Sequence, residues 1–524
     1  MVKPKELNKV FLQLAKRAEL NDPMKLVETF VDTGNLFTLL SSLSNQIVYG
    51  RRGTGKTHAL VYLAQNARRE GDVAVYIDMR NVGSSGGVYA NAELPLPERG
   101  TRLLADALGT VHEQLVSGIV PRDDLDLSRL GPVLDRLAGE CSRVVVTGAV
   151  AREQTLAGTK EQKEESDLQF GLGPKGAAVN LGRKQAATTA VSEGLKVTES
   201  GSLRHRIQFG AVGKVLTDLV AELDGRRIWI VLDEWSSVPL DLQPFLADLI
   251  RRSILPIRGI TVKIGAIEQR SRFKLPTEEG DYIGLELGAD VSADINLDDF
   301  MMFGNDAKRA SGFFAELLFR HARSLLTGTI LGEFETAAQL QQSAFTQRNA
   351  FDEFVRAAEG VPRDAIQIIA IAALRAEENP ISVQHIRGAA QTWFQQDKEK
   401  AVSASPANHR LLNWIIDEVI AHRRARAFLL RSDIVHPLID ELFDARVLHV
   451  LKRTVSAKDQ PGVRFTVYAL DFGCYVDLIT TAKAPQGLFH VEDEIIGDVP
   501  PDDLRSIRRA VLDLTKFEES LGSP

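Results

Sequence analysis

The stretch Gly50-Arg51-Arg52-Gly53-Thr54-Gly55-Lys56-Thr57 constrains the fold of this chain more than any other. It reads G-x-x-x-x-G-K-T, with the apolar run NQIVY (45–49) before it and helical composition over 57–69 after it. Glycines at these spacings let the backbone curl until successive N–H groups point inward at phosphate oxygens. Lys56 is then placed to reach the β- and γ-phosphates of a nucleotide, and the Thr57 hydroxyl to hold Mg²⁺. The helix that follows turns its positive dipole end toward the same anion. All eight residues are therefore candidates for nucleotide binding, on an α/β fold with a strand entering the loop and a helix leaving it.

A second run, Ile228-Trp229-Ile230-Val231-Leu232-Asp233-Glu234, supplies what such a loop lacks. An apolar strand would carry Asp233 to the Mg²⁺ shell at its C-terminal end. Glu234 would follow as the general base that polarises an attacking water. With strands also expected at 72–79 and 260–267, and helical patterns over 102–116, 127–137 and 208–223, strands alternate with helices. That alternation predicts a parallel sheet covered on both faces.

Composition sets the frame. The chain has 524 residues, enough for about three domains. It is 44% hydrophobic and 25% charged, the balance of a folded globular chain rather than a disordered one. A net charge of −7 argues against a chain that coats nucleic acid along its length, although a local basic face is still allowed. Cys141 and Cys474 are too few for a disulfide framework or a four-ligand zinc site. Histidines show no metal-binding spacing, leaving Mg²⁺ with nucleotide as the expected metal. No apolar run approaches the ~20 residues that span a bilayer, and the first residues have no signal-peptide core. The expectation is a cytoplasmic protein without membrane contact.

The expected organisation is a helical segment over 1–44, a core over 45–300, helices over 301–402, a compact unit over 405–485 and a tail over 486–524. Residues 147–205 are polar and charged at first and then alternate about a Gly-Pro-Lys-Gly turn, which predicts a β-containing insertion with a hairpin at 168–183. Beyond about 305 the pattern becomes helical, at 308–326, 350–358, 363–376 and 382–400. A linker is expected at 403–406. Then follow a helix (409–424), a strand (427–431), a helix (434–444) and two strands (447–455, 463–470), the outline of a winged helix.

The two motifs together resemble those of the P-loop NTPases, and the helical region after the sheet resembles the AAA+ branch. Gly360-Val361-Pro362-Arg363 at a helix start is similar to the second sensor of the origin-recognition type initiator ATPases, with the STAND switch ATPases as the nearest alternative. The resemblance implies ATP rather than GTP, in line with the absence of an Asn-Lys-x-Asp guanine signature. It implies that Arg363 reaches the γ-phosphate from a helical lid. It also implies a first sensor at the end of the fourth core strand, where Glu268 or Gln269 stands, with Gln269 preferred because a second carboxylate beside phosphate would be unusual. No motif assigns the family's trans-acting arginine; Arg270 and Arg272 are the nearest candidates.

Two function classes follow. One is a DNA-associated ATPase of initiator, transposition or defence type; the other is a STAND-like signalling ATPase whose winged helix makes protein contacts. Nucleotide-dependent homo-oligomerisation or a partner protein is expected in either case. For DNA, His422, Arg423, Arg424, Arg426 and Arg431 form a basic cluster, and Lys452 and Arg453 lie in the first wing strand. Against base reading, the helix expected at 434–444 is acidic and has no Arg or Lys, although wing contacts to phosphates remain open.

Overall fold

The structure is a computed structural model that describes residues 3–15, 22–33, 35–83, 94–142, 144–147, 188–192, 195–199, 202–205, 207–277, 280–298, 307–326, 334–423, 425–456, 462–478 and 511–522. Its core is a five-stranded sheet of β1 (Gln46–Tyr49), β2 (Val73–Asp78), β3 (Ile228–Asp233), β4 (Ile260–Ala266) and β5 (Ser292–Asn296). The spatial order is β5-β1-β4-β3-β2, and every pairing is parallel. Consequently β1 and β3 both end at one rim, with Tyr49 beside Ala266 of β4 and Asp233 beside Asp78 of β2.

Alternate residues of each strand serve opposite faces, and both faces are apolar. Ile47, Val75, Ile230 and Ile264 pack under the helices Leu96–Ile119, Leu127–Cys141, Phe209–Ala221 and Gln243–Ser253. Val48, Ala74, Val231 and Ile295 face α1 (Lys56–Arg69), whose Ala59, Leu60, Leu63, Ala64 and Ala67 form one buried stripe. Two-sided burial explains why these strands read as continuous apolar runs. β5 was not expected from the sequence. It is an edge strand, SADIN, with one buried apolar residue, Ile295, so neither alternation nor an apolar run marks it.

The expected helical segment over 1–44 divides between two neighbours. Pro4–Leu12 packs into the helical region, where Leu7 and Phe11 are buried and Asn8 donates to the carbonyls of Glu377 and Asn379 at 2.9 and 3.0 Å. Pro23–Thr29 and Leu36–Leu40 instead lie near α1. In the insertion, Val144–Thr147 pairs antiparallel with Ser202–His205, and Thr188–Ser192 with Leu195–Glu199. The hairpin expected at 168–183 lies outside the described residues.

After the sheet come the helices Ala307–Arg323, Ala337–Ala344, Arg348–Ala358, α2 (Pro362–Ala376) and Val383–Trp393. Then Pro406–Ile415 leads into β6 (Ala427–Arg431), α3 (Pro437–Asp444), β7 (Leu448–Ser456) and β8 (Arg464–Leu470), with the antiparallel order β6-β8-β7 of a winged helix. The linker expected at 403–406 is a helix start, because the Ser405 hydroxyl accepts from the N–H of Asn408 at 3.4 Å. One apolar core, including Phe354, Ile369, Phe428 and Leu448, runs through both helical region and winged helix. The final helix, Leu514–Gly522, adds Phe517 against Trp414, with ring centroids 5.6 Å apart.

Candidate nucleotide site

The phosphate loop leaves β1 at the rim of the sheet and closes on α1. Gly53 and Gly55 adopt φ of 88° and 96°, left-handed values that a Cβ would strain. Lys56 is buried, and its ammonium donates to the carbonyls of Gly50 (2.8 Å) and Arg51 (3.0 Å). An ammonium has three donors, so one stays available for an anion in the loop. Burial lowers the Lys56 pKa, while Asp233, Glu234 and Asp298 act to raise it. Thr57, half-buried, opens the first turn of α1 beside it.

Asp233 ends β3 fully buried, held by two donors at 2.8 Å: the Tyr76 hydroxyl from β2 and the N–H of Glu234. Gly265 of β4 makes room for it, since a Cβ there would stand 2.7 Å from the Asp233 Oδ1. Glu234 follows at φ 53° and ψ 39°, a left-handed conformation uncommon for a residue with a side chain. Such strain turns the chain sharply at the rim and leaves Glu234 half-buried there. Among the described residues no group of three or more His, Cys, Asp or Glu side chains is arranged to hold a metal ion. Mg²⁺ at a nucleotide site needs none, since it takes one or two protein oxygens and fills its shell with phosphates and water. Thr57 and Asp233 fit that demand.

The helical region touches the loop directly. The N–H of Arg363, at the start of α2, donates to the carbonyl of Gly53 at 3.2 Å. A Cβ on Gly53 would lie 2.9 Å from the Arg363 Cβ, so the absence of a side chain permits the approach. The guanidinium charge reaches far enough to act on Lys56.

The residues after β4 include the expected first sensor, Glu268 or Gln269, and the candidates for a trans-acting arginine, Arg270 and Arg272. Glu268 pairs with Arg453 of β7 at 2.9 Å. Arg270 pairs with Asp444 at the end of α3. Arg270 is thus engaged within its own chain, while Arg272 is exposed. Gln269 is half-buried, and its Oε1 is buried without a hydrogen-bond partner.

Arg51 corrects an expectation, because its side chain turns away from the loop. Almost wholly buried, it donates to Asp298 Oδ1 at 2.6 Å, to the Leu448 carbonyl at 3.0 Å and to His449 Nδ1 at 2.9 Å, and lies over the Phe443 ring. Its backbone is engaged as well: the N–H donates to Asp298 Oδ2 at 2.9 Å, and the carbonyl accepts from the Thr54 hydroxyl at 2.9 Å and from Lys56 at 3.0 Å. Arginine has no acceptor, so His449 Nδ1 must accept and Nε2–H must donate to Asp471, 3.0 Å away. The imidazole is therefore neutral, its pKa lowered to about 4 by burial and by Arg51. Asp471 in turn pairs with Lys398 at 2.5 Å, and Lys398 with Asp364 at 2.8 Å. Asp364 is the residue after Arg363. A buried chain of hydrogen bonds and ion pairs thus leads from the phosphate loop through the winged helix back to the start of α2.

A cavity that no motif in the sequence marks lies beside the loop. Small and partly open, it is lined by Phe30, Val31, Gly55, Leu317, His321 and Pro362, among others. Phe30 stacks on Tyr62 with centroids 4.0 Å apart. Burial lowers the His321 pKa to about 4, with His58 acting in the same direction, so the ring is uncharged at neutral pH. These residues come from segments nearly 300 positions apart, and no spacing joins them.

The basic cluster of the winged helix is mostly paired. His422 and Arg423 meet Glu418, and Arg431 meets Asp433 at 2.5 Å. Arg424 lies outside the described residues. Lys452 is exposed on β7, whereas the C-terminal end of α3 faces the core through Phe443 and Asp444. Among the described residues no helix is long and apolar enough to cross a membrane.

No curated protein matches the sequence. The solved structure of the Aeropyrum pernix ORC1 protein in complex with DNA is similar at 13% identity and a TM-score of 0.32, over 87% of this chain and 96% of that one. The family model ORC-CDC6-like matches residues 14–89, the segment that holds β1, the phosphate loop, α1 and β2.

Proposed function

We propose that this chain is an ATP-binding, ATP-hydrolysing AAA+ switch, associated with DNA, in which nucleotide state governs the seating of the winged helix. The observation that carries the reading is convergence on one loop: β1, the Asp233 strand, α2 and the winged helix all meet at residues 50–57. In this reading the loop N–H groups and Lys56 bind the phosphates, and the apolar cavity at Phe30, Leu317 and Pro362 takes the base. Thr57 and Asp233 would hold Mg²⁺, which would supply neutralisation of phosphate charge. Glu234 takes the proton of the attacking water, and Gln269, with an unsatisfied acceptor, orients that water. Arg363 meets the terminal phosphate from the lid.

The reading is tested by measuring DNA affinity at two salt concentrations, with ATP, with ADP and without nucleotide. Phosphate contacts by the wing give a salt-sensitive affinity, and ATP should change it. One observation favours the second reading, a STAND-like switch: the acidic helix α3 faces the core and the winged helix shares its apolar core with the lid. In that case DNA affinity stays negligible in all states, and ATP changes oligomeric state instead.

A further inference from the structure

Asp444 stands where the winged helix meets the rim of the nucleotide site. It ends α3, and its side chain is only 9% exposed. One carboxylate oxygen accepts from the Arg270 guanidinium; the other, Oδ1, is buried with no hydrogen-bond partner. The cations acting on it are Arg270, Arg52 and Lys56, two of them from the phosphate loop itself. Arg270 follows β4, whose Ala266 carbonyl accepts from the N–H of Gly50 at 3.2 Å, so the turn carrying Arg270 lies against the start of the loop.

The surrounding contacts hold this carboxylate in place. Arg51 binds the Leu448 carbonyl and His449, and Arg453 binds Glu268, so the winged helix is fastened on both sides of Asp444. A buried carboxylate with an unsatisfied oxygen costs free energy unless positive charge faces it. Here that charge comes from Arg270 and from Arg52 and Lys56 of the phosphate loop. The carboxylate and the phosphate are both anions with acceptor oxygens, and an arginine fork suits either.

We propose that Asp444 is a specificity-determining residue of the nucleotide site: its carboxylate occupies Arg270 and opposes the terminal phosphate of ATP, but not ADP, while the winged helix is seated. This rests on the nucleotide reading above. When the terminal phosphate takes Arg270, α3 loses its anchor and the end of that helix is released from the rim. Arg270 then acts within its own chain, as a phosphate ligand that Asp444 holds in reserve.

The test is calorimetric titration of Mg²⁺-ATP and Mg²⁺-ADP into the full chain and into Asp444→Asn, Asp444→Glu and Arg270→Gln. Asp444→Asn keeps the shape and removes one unit of charge, and should tighten ATP by about tenfold while ADP moves less than about twofold. Asp444→Glu should keep the parental ratio of the two affinities. Arg270→Gln should move that ratio the opposite way, weakening ATP relative to ADP. A purely structural clamp predicts instead that Asp444→Asn and Arg270→Gln loosen the winged helix alike and move the ratio in the same direction, which overturns the proposal. A parent that binds both nucleotides, with a ratio that none of the variants shifts, overturns it too, while leaving the nucleotide reading intact. A parent that binds neither nucleotide overturns both.

Discussion

The N–H of Arg363 and the carbonyl of Gly53, 3.2 Å apart, join the first turn of the lid helix to the middle of the phosphate loop. Nothing else lies between them, because Gly53 has no side chain and Arg363 packs its Cβ into that space. In the proposed function, a helix tied to the loop backbone in this way would register what the loop holds.

The first prediction follows for Arg363. Its neighbours Asp364 and Glu359 are buried, and Asp364 pairs with Lys398. A guanidinium that meets only the terminal phosphate separates ATP from ADP. Arg363→Ala should narrow the ratio of ATP to ADP affinity and leave ADP binding almost unchanged. Titration of both nucleotides against parent and variant reads this, and an unmoved ratio removes Arg363 from the site.

Glu234 is the predicted base. Glu234→Gln keeps the left-handed turn and the side-chain length but cannot take a proton. Turnover should fall by roughly 10²–10⁴ while ATP remains bound. Phosphate release under saturating ATP measures it. Full turnover in the variant would place the base elsewhere, and Glu268, already paired with Arg453, would be examined next.

Arg51 and Asp298 are both almost wholly buried and 2.6 Å apart. Removing one partner leaves a buried charge, at a cost of about 3–5 kcal/mol, whereas replacing both by apolar groups is often neutral. Arg51→Met should therefore lower the unfolding free energy by about that amount, and Arg51→Met with Asp298→Leu should recover much of it. Urea denaturation distinguishes the two; a double variant no better than the single would show that the contacts of Arg51 to Leu448 and His449 matter more than the pair.

Glu359, buried at the end of the helix before α2, has its pKa raised to about 7, first by burial. Between its ordinary value near 4.5 and about 7 the folded chain keeps this proton and the unfolded chain does not. The folded state binds more protons there, so this group takes stability away as pH rises through the window. Glu359→Gln should gain on the parent between pH 4.5 and 7 and hold a constant difference above that. His321 and His449, each at about 4, act oppositely, weakening the fold as pH falls below about 6.5. They are common to parent and variant and cancel in the difference, which melting temperatures across pH 5–8 would supply. A difference independent of pH would mean that Glu359 is ionised throughout.

Local features were legible in the sequence and contacts across the chain were not. The loop, the buried strand ending at Asp233 and the winged-helix outline each depend on neighbouring residues, and each lies within a few residues of its expected place. β5 escaped because an edge strand need bury only one side chain. Arg51 was read as a phosphate ligand because it sits inside the motif, and only the fold brings Asp298 and His449 to it, 247 and 398 positions away. Arg270 stands next to a sensor position in sequence, yet Asp444, 174 residues on, claims it.

The most direct measurement is calorimetric titration of Mg²⁺-ATP into the parent and into Lys56→Ala. Lys56 is the charged side chain that the loop folds around, and a hydrogen bond from a charged group contributes about 1.5–3 kcal/mol. The parent should bind ATP, and Lys56→Ala should bind it at least about tenfold more weakly, with an unchanged fold by circular dichroism. Equal affinity in the two proteins, or no binding by the parent, would contradict the nucleotide reading.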